Sequence, residues 1–174
     1  MRVAQRAACP VLVVPDRPGC WPPVRVILGE DFTAAARQAA AVSVGIARAY
    51  GAQLVLVEAI GDFENVMEHS LGAGPHVAED ILTMSRESLD DRARVLAPEL
   101  GSDPEERIEF GDPAAIVLWT AAQATASVIA LGRPEPHSYD EQSRMAAAIA
   151  ARVLRHATGP VMLASSVPEA PPPA

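Results

Sequence analysis

The chain has 174 residues, 49% of them hydrophobic but only 4% aromatic, and a formal net charge of −8. That length supports one domain with its own core, and the composition builds that core from Ala, Val, Leu and Ile rather than from aromatic rings. The acid excess repels a nucleic-acid backbone with no Arg cluster to offset it, and no apolar run reaches the roughly 20 residues a membrane helix needs, so the reading is no nucleic acid and no membrane.

The first apolar run is residues 10–14, inside "RAACPVLVVP". It is too short, and too early interrupted by Pro10, for the apolar core of a secretory signal; it reads as a strand, and the chain as cytoplasmic. Cys9 and Cys20 form neither a CxxC pair nor a zinc spacing and read as reduced thiols. Residues 15–23, "PDRPGCWPP", read as a linker with Trp21 as its anchor. Residues 24–29 and 53–59, "VRVILG" and "QLVLVEA", are nearly continuously apolar, as parallel strands covered on both faces are. Between them residues 33–50 predict a helix, with Thr33 as N-cap and Gly51 as its stop.

A long connection, residues 61–76, follows. The next predicted helix covers 77–96, with Val77, Ile81, Met84, Leu89, Ala93 and Leu96 at helical spacing and Pro98 as terminator. A strand over 107–110 leads to a helix over 113–124, opened by Asp112 as cap and Pro113 at the first position; Trp119 is expected to pack on its face. Residues 127–132 predict a strand, 142–156 a helix with Arg155 and His156 in its last turn, and 160–164 the final strand. The tail, residues 166–174, is proline-rich and predicted to be disordered. Strands alternating with helices imply an α/β parallel sheet with right-handed crossovers.

The ordered set of signals resembles the universal stress protein family. "VRVILGEDFTAAARQAAAVSVGIARAYGAQLVLVEAI" looks like that family's first strand, helix and second strand. "FGDPAAIVLWTAAQATASVIALGR" looks like its third strand, fourth strand and the helix between them. "ARVLRHATGPVMLAS" looks like its closing helix and last strand. The resemblance spans residues 24–165 and implies a five-stranded parallel sheet in the order 3-2-1-4-5 with helices on both faces, Rossmann-like and similar to adenine-nucleotide alpha-hydrolases. "RAACPVLVVP" resembles the same family's last strand, as in tandem members; the other reading is a generic apolar strand. Residues 1–23 are thus an extra N-terminal strand and a linker before the domain. The extra strand, through Val11 and Val13, is expected to pair with the last strand, through Val161 and Leu163. That pairing would lie within the chain or across a homodimer by strand exchange.

For that strand order the ligand crevice lies at the carboxyl ends of the first and fourth strands. The resemblance implies that Asp31 contacts adenosine, that Val57 lies near adenine, and that Phe32, Thr33, Gly132, Arg133, Ala147 and Ala148 surround the nucleotide. Asp31 has a second reading, as a partner of Thr33 at the helix start. The family's phosphate motif, Gly-x-x-Gly-x9-Gly-[Ser/Thr], is altered here. Gly132 is kept, Glu135 stands at the second glycine, and Ala147 and Ala148 stand at the final Gly-Ser, with a spacing two residues longer. Pro134 and Pro136 remove amide donors, and Glu135, Asp140 and Glu141 add negative charge that Arg133 and Arg144 only partly offset. Each lost charge-assisted contact costs roughly 1.5–3 kcal/mol.

Neither Asp62, Glu68, His69 and His76 nor His137, Ser138 and Asp140 have the spacing of a metal site or a catalytic triad. The expectation is therefore a non-enzymatic stress-response regulatory or interaction protein with a degenerate nucleotide pocket, no cofactor, and an unidentified protein partner. The alternative is a member that binds ATP or AMP with Mg²⁺ and hydrolyses ATP slowly, acting as a switch.

Overall fold

The computed structural model describes residues 7, 9–16, 21–61, 77–124, 127–133 and 140–165. The linker's Cys20, the acidic and histidine residues of the 61–76 connection beyond Gly61, the loop residues Pro134, Glu135, Pro136, His137 and Ser138, and the tail lie outside them.

In chain order the elements are β1 (Val11–Val13), β2 (Arg25–Gly29), α1 (Ala34–Tyr50), β3 (Gln53–Ile60), α2 (Val77–Leu100), β4 (Glu105–Phe110), α3 (Pro113–Ala122), β5 (Ser127–Arg133), α4 (Glu141–His156) and β6 (Val161–Ser165). They form one sheet in the order β1-β6-β5-β2-β3-β4. The five strands from β2 to β6 are parallel and lie in the family-like order; β1 is an antiparallel sixth strand on the β6 edge. It pairs within the chain, with Val11 opposite Leu163 and Val13 opposite Val161.

Each central strand is buried on both faces, which is why its sequence reads as an unbroken apolar run. Val26, Leu28, Leu54, Leu56, Val128 and Ala130 face α1 and α2. Ile27, Val55, Val57, Ile129 and Leu131 face α3 and α4, where Val11 and Val13 also pack. Thr33 caps α1, its side chain accepting from the Ala36 N–H, and Gly51 ends it in the left-handed region at φ 66°. Trp21 meets Tyr50 of α1 edge-on at 5.0 Å between ring centroids.

Three local expectations are corrected. Helix α2 runs through Pro98 to Leu100, and Gly101, at φ 80°, is where it stops. Near the end of a helix Pro98 forfeits one hydrogen bond and leaves the remaining turn intact. Met84 is 67% exposed, and Ser85 takes the sheet-facing position beside it. Ser85, Leu89 and Leu96 recur at helical spacing, and Met84 lies a full step off that stripe. Trp119 is 58% exposed, because Val117 and Ala121 occupy the sheet-facing side of α3 and residue 119 points away.

Candidate functional site

Strands β2 and β5 are neighbours, but α1 leaves β2 over one face and α4 leaves β5 onto the other. Their carboxyl ends therefore diverge and open a crevice at the switch in strand order. A cavity of 220 Å³ sits there. Its floor is Gly29, Val57, Ala59 and Leu131; Pro113 and Val117 of α3 and Gln142, Met145, Ala146 and Ile149 of α4 form its walls. The wall residues of α4 follow helical spacing, so one face of that helix is turned to the crevice. Glu30 and Asp31 complete the rim.

Asp31 is exposed at that rim. Its Oδ1 accepts from the Thr33 N–H at 3.1 Å and from the Thr33 hydroxyl at 2.6 Å. Thr33 in turn accepts from Ala36 N–H at 3.2 Å. Asp31 thus borders the crevice and also braces the cap of α1. Between Asp31 and Thr33, Phe32 adopts φ 58°, a left-handed conformation unusual for an aromatic residue. Its ring packs toward the α1–α2 side of the core, away from the cavity.

Glu30 was not singled out by its sequence context, yet it is the most buried acid of the rim. Its side chain is fully enclosed. Oε1 accepts from the Phe32 N–H at 2.9 Å and from Arg92 Nη2 at 3.3 Å. Arg92 Nε lies 3.0 Å from Oε2, an ion pair without hydrogen-bond alignment. Burial pushes the Glu30 carboxyl above its ordinary 4.5, and the Arg92 charge pulls it back in part. The Glu30 N–H donates to the Val57 carbonyl at 2.9 Å, so the backbone oxygen of Val57 already has one partner.

Gly132 borders the cavity, and its missing Cβ serves packing: a Cβ there would lie 2.7 Å from the Ala36 nitrogen. Arg133 is buried and donates through Nη2 to the Ala7 carbonyl at 2.6 Å, tying β5 to the N-terminal segment rather than lining the cavity. Ala147 and Ala148 are exposed on α4 and do not line it. The amino end of α4 is capped by its own Asp140, whose Oδ1 accepts from the Ser143 N–H at 2.7 Å, with Glu141 in the first turn. Of the residues the resemblance assigned to a nucleotide, Asp31, Val57 and Gly132 line the crevice; Phe32, Thr33, Arg133, Ala147 and Ala148 do not. Gln142, Met145 and Ile149 do so without a prior signal, since a bordering face of a helix is recognisable only once its neighbours are placed.

The sequence model of the universal stress protein family matches residues 24–165. The chain belongs to that family. Solved structures of the same fold agree. The universal stress protein UspA from Lactobacillus plantarum is 18% identical, with 82% of this chain and 99% of that chain covered and a TM-score of 0.63. A universal stress protein from Archaeoglobus fulgidus is 17% identical over 94% of this chain and 52% of that one, with a TM-score of 0.65. A universal stress protein solved in complex with cAMP is 18% identical over 82% of this chain and 96% of that one, with a TM-score of 0.55. Among curated proteins none matches. Among the described residues no group of three or more His, Cys, Asp or Glu could hold a metal ion, and no helix is long and apolar enough to cross a membrane.

Proposed function

We propose that this family member is a non-enzymatic, stress-response regulatory or interaction protein of the cytoplasm. Its crevice is a degenerate nucleotide pocket that does not take ATP in the usual mode. The observation that carries the reading is the amino end of α4. A helix start favours phosphate when its free N–H groups point at the ligand; here Asp140 accepts one of them and Glu141 adds a second carboxylate. Two further observations support it: Arg133 is engaged with Ala7, and Ala147 and Ala148 face solvent. The apolar cavity retains room for a small group, but the groups that would grip phosphates are turned to other tasks.

A second reading has one observation in its favour. Asp31 stands at the crevice rim, and a structure of the same fold was solved with cAMP. On that reading the chain binds ATP or AMP with Mg²⁺ and acts as a nucleotide-dependent switch. Calorimetric titration with ATP and AMP, with and without Mg²⁺, separates the two. The first reading expects no saturable heat at micromolar nucleotide; micromolar binding abolished by Asp31→Ala establishes the second.

We also infer a homodimer. The β6 edge is occupied within the chain by β1, so a second copy would join by exchange of β1 rather than by direct β6 pairing. The protein partner that such a module would regulate is of unknown identity.

A further inference from the structure

The geometry points to Arg92 and Glu30 as a positioning pair for the crevice rim: Arg92 of α2 anchors the Glu30 carboxylate, which holds the Phe32 N–H and so fixes Phe32 in its left-handed conformation with Asp31 beside the cavity. The inference rests on the crevice being this chain's ligand site, whichever ligand it takes.

Three observations carry it. A non-glycine residue at φ 58° is strained and persists only where the surroundings impose it. The Phe32 amide donates to Glu30 Oε1 at 2.9 Å. Glu30 is an ionisable side chain with no exposed surface, and such a group is retained only when it is paired. Its partner comes from a helix 62 residues away in sequence. Arg37 supports the same turn from the other side, its Nη1 donating to the Phe32 carbonyl at 3.3 Å. Backbone carbonyl and amide of Phe32 are thus each held by a charged side chain. Asp31, one residue before, bonds through its side chain to Thr33 of the same turn, so its direction follows from the turn.

The consequence is a link between α2 and the crevice. Any shift of α2 along the sheet moves Arg92, then Glu30, then the turn that carries Asp31. Arg92 reaches the cavity through Glu30 alone and does not itself line it, so it positions rather than binds.

The test separates holding the turn from merely stabilising the fold. Glycine adopts positive φ without strain, so Phe32→Gly should make the turn independent of Glu30. In the parent background Glu30→Ala is expected to speed hydrogen exchange of the residue 32 amide by about tenfold to a hundredfold, the loss of one bond to a charged acceptor. In the Phe32→Gly background the same change should lower the unfolding midpoint by less than in the parent, the shared part of the loss being that of leaving Arg92 buried without its partner. Glu30→Gln keeps an acceptor oxygen and should preserve most of the amide protection, which guards against the alanine variant failing to fold. Arg92→Met should move the Asp31 and Phe32 amide resonances while those of β3 and β5 strand centres stay in place. Equal effects of Glu30→Ala in both backgrounds, or an unchanged Phe32 amide in Glu30→Ala, would overturn the proposal. No ligand enters these measurements, so a failure here is distinct from a failure of the nucleotide reading, which the calorimetry decides.

Discussion

Gly132 of β5 packs directly on the backbone of Ala36 in α1: a Cβ built on Gly132 would lie 2.7 Å from the Ala36 nitrogen and 2.9 Å from the Ala35 carbonyl carbon. Neither neighbour can rotate away, because both are main-chain atoms at the start of a helix. Gly132→Ala should therefore destabilise the fold by about 1–3 kcal/mol, the range for overpacking. At Gly29 the added Cβ meets the end of the Leu131 side chain at 2.6 Å, which can change rotamer. Gly29→Ala should cost less, and urea unfolding of the two variants checks the order; equal costs would contradict it.

The start of α3 separates a cap from an ion pair. Asp112 accepts from the Ala115 N–H at 2.7 Å through Oδ1 and pairs with Arg152 at 2.5 Å through Oδ2. Both side chains are about half exposed, so the ion pair contributes at most about 1 kcal/mol, whereas loss of an N-cap costs about 0.5–2 kcal/mol. Asp112→Asn keeps the cap and should lose little stability. Asp112→Ala should lose about 1 kcal/mol more, measured by chemical denaturation.

Removing β1 uncovers an edge. Residues Val161 and Leu163 of β6 then present unpaired backbone groups next to apolar side chains, a template for another chain. A variant lacking residues 1–20 cannot exchange β1 and should associate instead through its bare β6 edges, with a mass that rises with concentration beyond that of the full chain, seen by sedimentation or light scattering. An unchanged mass would mean that β1 does not protect that edge.

The half-buried acid Glu58 sets a pH slope. Burial raises its carboxyl above the ordinary 4.5, while the hydroxyl of Ser85, 3.0 Å from Oε1, pulls the other way. Between 4.5 and the raised value the folded chain holds a proton that the unfolded chain has released. Stability from this group is complete below 4.5 and falls as pH rises through the folded value. Glu58→Gln keeps an acceptor for Ser85 and removes the titration, so unfolding curves from pH 4.5 to 7 should show a shallower decline. Glu30 and Glu106 shift in the same direction, so some decline should remain.

Much of this architecture is legible in the sequence because its causes are local. The caps Thr33 and Asp112 and the stop at Gly51 work within one helical turn. The continuous apolar strands and their order of appearance place the crevice at the ends of β2 and β5, and so bring Asp31, Val57 and Gly132 to it. The remaining lining residues were not legible. Met145 and Ile149 lie on an alanine-rich helix whose crevice side is decided by its angle to the sheet. Arg133 could be read as a phosphate partner until the N-terminal segment took its guanidinium.

The sequence by itself determined the α/β alternation, the parallel sheet and the family, because hydrophobic period, caps and turn residues are short-range properties written along the chain. Only the tertiary structure decided what lies beside what. It paired β1 with β6 within one chain, turned Ser85 rather than Met84 to the sheet, and set Arg92 against Glu30 across 62 residues. Strand edges choose partners by proximity, and a buried charge finds its counter-charge only after packing has removed both from water.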